Sequence, residues 1–144
     1  SQVSSQARRP GRGQPTPSRP MTSKFFPLLR VMAIVQAAAF LVQAVTAGQL
    51  LSSPGGRALH AATAVAALAV GVLNLIAAIL VWRPGGGSAR FVGTAAFTLA
   101  ITVVQAALGI AHVKALHVPL GVLLFGSSVM HISRVMPGRA PAAA

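Results

Sequence analysis

Polar and apolar residues are segregated along this chain into long blocks, without the alternation of a half-buried soluble helix or strand. Apolar runs cover 31–51, 58–82, 91–113 and 115–133. Each is about twenty residues or more, the length a helix needs to cross a hydrocarbon core of roughly 30 Å. The separators are short and rich in helix breakers: SSPGGR at 52–57, RPGGGSAR at 83–90, and the tight junction His112–Val113–Lys114. Pro84 and Pro137 stand just past the second and fourth runs, where helices stop. Pro119 is expected in the first turn of the fourth helix, where its missing N–H costs little. The pattern predicts an all-α fold, an integral membrane four-helix up-down bundle occupying 25–136.

The flanks are different in kind. Residues 1–24 are rich in Pro, Ser, Gly and Arg and read as a disordered basic tail. Met21 opens MTSKFFPLLR, so the functional chain is expected to begin there, with 1–20 an upstream extension. Residues 137–144 form a short C-terminal tail. The first apolar run reads as a span rather than a cleaved signal, because it exceeds a 7–15-residue signal core and three more spans follow it.

Composition sharpens this reading. Of 144 residues, 54% are hydrophobic and only 8% charged, all twelve of the charges Lys or Arg. A soluble domain carries roughly a quarter of its residues as charges of both signs, and a mean hydropathy of +0.72 is foreign to one. With no Asp or Glu and no Cys, side-chain carboxylate catalysis, thiol chemistry, disulfides and iron–sulfur clusters are excluded. An enzyme is therefore the less favoured reading.

The positive charges sort by loop. Arg8, Arg9, Arg12, Arg19, Lys24, Arg30, Arg83, Arg90, Arg134 and Arg139 fall on the side of the termini, and only Arg57 and Lys114 fall on the other. The positive-inside rule then puts both termini in the cytoplasm, in a multi-pass protein of the cell (plasma or inner) membrane. The net charge needs no nucleic acid to explain it, since no basic helix with interleaved aromatics occurs. The basic tail is suited to anionic lipid headgroups.

Ionisable groups within a membrane segment are costly and call for a reason. His60 and His117 are each the third residue of an apolar run, on two helices that run in the same direction and are diagonal in an up-down bundle. At helix spacings of 8–10 Å the diagonal is roughly 11–14 Å. A haem with one imidazole from each side fits such a span. The residue one turn further in is small in both helices, Ala64 and Gly121, leaving room for the macrocycle. Arg57 and Lys114, each three residues before a histidine, are placed to meet the propionates. One haem b is expected, its iron held by His60 and His117. Zinc and copper are disfavoured, because zinc commonly takes three or four ligands including Cys, Asp or Glu.

The other polar residues weigh less. His112 is a group behind the ligands, a propionate partner or a simple interfacial residue. His131 shares the face of His117 about 21 Å deeper at 1.5 Å per residue, with no second histidine to complete an inner haem and Met32 and Met130 poor substitutes. It reads as structural. Gln36, Gln43, Asn74 and Gln105 read as amides that bond across helices, in preference to quinone binding.

The stretch Arg57–Ala58–Leu59–His60–Ala61–Ala62 resembles the His-led second helix of each half of the haem A synthase family. Val104–Gln105–Ala106–Ala107–Leu108–Gly109–Ile110, followed by Leu116–His117–Val118–Pro119–Leu120–Gly121–Val122–Leu123–Leu124–Phe125, resembles the last two helices of such a half. The likeness covers about 31–136. It implies one of the two four-helix halves that make up the family's eight helices, with His60 and His117 as the haem pair near the outer side. The family's oxidation chemistry does not carry over, because it looks to a membrane-embedded Glu that this chain lacks. Two copies could pair to mimic the eight-helix arrangement.

The sequence therefore predicts a b-type cytochrome-like membrane protein, serving electron transfer or haem handling in a respiratory assembly, as a homodimer or within a larger complex. The alternative is a cofactor-free accessory subunit of a membrane complex. A transporter is weaker, since no span is broken near its middle.

Overall fold

The computed structural model describes residues 24–138 together with 142 and 143, so the expectation of a disordered tail falls almost wholly outside the described residues. Pro27 fixes where the first helix starts. At the second helical position its missing N–H would have found no intrahelical partner anyway, and α1 runs Phe26–Ser52, five residues ahead of the apolar run. Arg30 is thereby drawn into the helix, and its Nε donates to the Val135 carbonyl at 2.8 Å. The remaining helices are α2, Gly56–Trp82, α3, Arg90–Ile110, and α4, Lys114–Val135. All four are long and apolar enough to cross a membrane. Among the described residues there is no strand.

The connections explain the other boundary shifts. The α1–α2 turn is so tight that a Cβ on Gly56 would collide with the Gln49 carbonyl and lie 2.7 Å from the Leu50 Cα. Gly55 before it takes φ 82. The third helix stops at Ile110 instead of Val113. His112 adopts φ 57, Val113 N–H donates to the Leu108 carbonyl at 3.0 Å, and His112 N–H donates to the Gly109 carbonyl at 3.1 Å. That is the Schellman termination, with histidine in the left-handed position glycine usually takes. The fourth helix then begins at Lys114, which moves Pro119 out of the first turn and into the helix. It leaves the Ala115 carbonyl without its i+4 donor, an interruption membrane helices tolerate where neighbours re-satisfy the backbone.

The helices pack as a ring, α1 on α2, α2 on α3, α3 on α4 and α4 on α1. Across the diagonal, α2 and α4 bring no Cα atoms within 8 Å of each other. At the end carrying the termini, Leu29, Ala33, Ala77, Ala78, Val81, Phe91, Ala95 and Val135 form the main buried cluster. Phe40, Ala67 and Leu124 form a smaller one midway. Outside, Val65, Phe97, Val122 and Leu123 are each about two-thirds exposed. A surface this apolar is a lipid-facing one. The opposite end, holding the α1–α2 and α3–α4 turns, carries His60 and His117 with the polar side chains around them.

Candidate functional site

His60 lies in the first turns of α2 and His117 in the first turn of α4, so both enter the bundle at the same end. Their ring centres are 6.2 Å apart, with planes at 81°. The two diagonal histidines thus meet across the bundle axis, and both are half-buried.

Each ring is held from behind through Nδ1. For His117 the partner is the Gln105 backbone carbonyl, at 2.9 Å. A carbonyl only accepts, so Nδ1 carries the hydrogen and Nε2 keeps its lone pair. The Gln105 side chain closes the loop by donating from Nε2 to the His117 carbonyl at 2.6 Å. For His60 the partner is Thr46 Oγ1, at 3.0 Å. The Thr46 hydroxyl also lies 3.2 Å from the Gln43 carbonyl and from Thr63 Oγ1; when it donates to either, its oxygen accepts from His60 Nδ1–H. Gln43 Nε2 donates to the His60 carbonyl at 3.2 Å and to Thr63 Oγ1, while the Thr63 hydroxyl returns to its own helix at Leu59. His117 therefore presents an unprotonated Nε2, and His60 does the same when Thr46 accepts from its Nδ1–H; each ring is oriented by a hydrogen bond at the other nitrogen, as metal-bound histidines are.

Glycine makes room for one of them. A Cβ on Gly109 would sit 3.0 Å from the His117 Cε1, so the ring lies directly over the α3 backbone. Gly121 has a different neighbour from the one expected. Its missing Cβ would stand 2.9 Å from Gln105 Nε2, so the space foreseen for a macrocycle is taken by an amide. Ala64, one turn below His60, is half-buried. Arg57 and Lys114 are exposed, at the second position of α2 and the first of α4. His112 is exposed and serves in ending α3.

The amides bond across helices as expected. Besides Gln43 and Gln105, Asn74 Nδ2 donates to Gln36 Oε1 at 2.8 Å between α2 and α1. Thr46 and Thr63 were not anticipated. Their signal is hairpin symmetry: Thr46 and His60 are each seven residues from Ser53, and Gln43 and Thr63 are each ten from it. His131 is buried at 6% exposure, apart from the pair. Among the described residues, no three His, Cys, Asp or Glu side chains come together as a metal-ion cage.

No protein-family profile, characterised protein or solved structure matches this chain.

Proposed function

We propose that this chain is a haem-binding membrane protein of the b-type cytochrome kind, with one haem b whose iron is held by His60 and His117. The observation that carries the proposal is the spacing of the two rings. A metal–imidazole bond of about 2.0–2.1 Å puts the centres of two opposed imidazoles roughly 6.3–6.5 Å apart, and the pair stands at 6.2 Å. Two neutral imidazoles with their Nδ1 hydrogens already engaged are the donor set such an iron takes. When bound, the haem supplies one-electron redox chemistry. Thr46 and the Gln105 carbonyl orient the ligands, and Arg57 and Lys114 provide cations at the same end for the propionates. Bringing the macrocycle in requires the Gln105 amide to leave Gly121. The role proposed is electron transfer or haem handling in a respiratory membrane assembly.

The proposal includes the orientation given by the loop charges: termini in the cytoplasm, histidine pair toward the outer face, in the cell membrane. It includes a half of the haem A synthase type standing alone or pairing with a second copy or a larger complex.

One observation favours a second reading. The hydrogen bonds around His60 and His117 close among protein groups, as in a cofactor-free accessory subunit whose histidines tie α1 to α2 and α3 to α4. Titration of haem into the purified chain separates the two. One equivalent giving a saturable low-spin spectrum supports the haem protein; no saturable change supports the accessory subunit.

A further inference from the structure

Fourteen residues beyond each histidine of the pair stand Asn74 on α2 and His131 on α4, about 21 Å deeper at 1.5 Å per residue. They are 1% and 6% exposed, and each keeps a buried polar atom without a partner, Asn74 Oδ1 and His131 Nε2. Polar groups so deep in a membrane bundle are expected to be satisfied or functional. Both residues line a cavity of about 660 Å³ between α3 and α4, within the range of small-molecule sites. Its outer wall includes Phe97 and Leu123, which are 68% and 66% exposed. The cavity therefore opens sideways, onto lipid.

The hydroxyls of its lining are turned back to their own helices. The hydroxyls of Ser127 and Ser128 donate to the Leu123 and Phe125 carbonyls, each at 2.6 Å. The Thr94 hydroxyl donates to the Arg90 carbonyl at 3.1 Å, and one of the two Asn74 amide hydrogens is given to Gln36. Gln36 and Arg134 bring N–H donors to the lining, but the amide oxygen left without a partner, Asn74 Oδ1, can only accept. An occupant that satisfies it must donate there, and an ammonium is opposed by Arg134 in this cavity and Arg90 in the adjoining one, in a chain without a single Asp or Glu. Neutral hydroxyls on an apolar body remain. Asn74 and His131 approach from diagonal helices, so a rigid ring with a hydroxyl at each end serves both. The terminal torsions of Asn and His are soft enough for a small rotation to present either atom.

We infer that this cavity binds a lipid-soluble hydroquinone, its hydroxyls donating to Asn74 Oδ1 and His131 Nε2 and its tail leaving between α3 and α4. The amide pair between Gln36 and Asn74 both ties α1 to α2 and offers one unused acceptor to the ligand. The site stands on residues apart from the histidine pair, and its occupancy does not depend on haem.

The test uses the full chain in phosphatidylcholine nanodiscs, with empty discs as the partition blank. A decyl-substituted benzohydroquinone, kept anaerobic, and its dimethyl ether are titrated calorimetrically. The expected result is saturable binding of one hydroquinone per chain, at least tenfold weaker for the ether and at least tenfold weaker in Asn74→Leu. Uptake no greater than by empty discs overturns the inference, and so does equal binding of hydroquinone and ether, a comparison that needs no variant. Displacement by phosphatidylglycerol, alike in the unaltered chain and in Asn74→Leu, also overturns it and marks a headgroup site on Arg90 and Arg134. In His60→Ala the hydroquinone should bind undiminished, which separates failure of this site from failure of the haem proposal.

Discussion

His117 and Gln105 are joined twice: His117 Nδ1 meets the Gln105 carbonyl at 2.9 Å, and the Gln105 amide meets the His117 carbonyl at 2.6 Å. One contact fixes the tautomer and the other fixes the start of α4 against α3. The first contact gives the ring its orientation before any ligand arrives, and preorganisation of this kind lowers the cost of binding; the second must open when the proposed macrocycle comes in.

His60 depends on a side chain for the same service. Thr46→Val keeps the shape of the residue and removes the oxygen that meets Nδ1. Loss of such an orienting partner typically weakens metal binding by about 10–100-fold. Haem titration of Thr46→Val should show a loss of that size, and Thr46→Ser should restore most of it. Equal affinity in all three proteins would remove Thr46 from the account.

Gly109→Ala puts a methyl 3.0 Å from the His117 ring, where overpacking costs about 1–3 kcal/mol. The variant should lose thermal stability in detergent and bind haem less tightly. Gly126→Ala is the control, since its Cβ meets nothing within 4 Å and alanine favours a helix over glycine by about 1 kcal/mol. It should be neutral or stabilising.

His112 holds φ 57 only to end α3. A non-glycine residue in that conformation costs about 1–2 kcal/mol. His112→Gly should raise thermal stability and leave haem affinity within twofold. A larger fall in affinity would return His112 to the site, as one of the sequence readings had it.

Much of this was legible in the sequence because a membrane imposes coarse rules. Runs of about twenty apolar residues gave four helices, and alternating direction made α2 and α4 diagonal, so His60 and His117 had to meet if both faced inward. The helix ends were less legible. Pro27 extends α1 through Arg30, and the backbone bonds of Leu108 and Gly109 close α3 before Val113, effects that depend on a few local contacts. Gly121 is legible only as a place of close approach, for a related reason. A small residue announces that something comes close without saying what, and here it is Gln105, six residues from Ala111 just as His117 is. The cavity beside Asn74 and His131 is not legible in the pattern, since it depends on how side chains from all four helices come together.

The proposed orientation has a direct check, because the chain contains no Cys. A cysteine at Ser53, exposed in the α1–α2 turn, should react with a membrane-impermeant maleimide on intact cells. One at Ser88, exposed between α2 and α3, should react only after permeabilisation. The reverse pattern would put the histidine pair at the cytoplasmic face.

The most direct test of the central claim is the haem content of the purified chain, by pyridine haemochrome assay with its absorption spectrum, beside His60→Ala and His117→Ala. One haem b per chain with a low-spin spectrum is expected, and loss of that spectrum in each variant. A colourless protein that takes up no haem, or a full low-spin spectrum surviving in either variant, would contradict it.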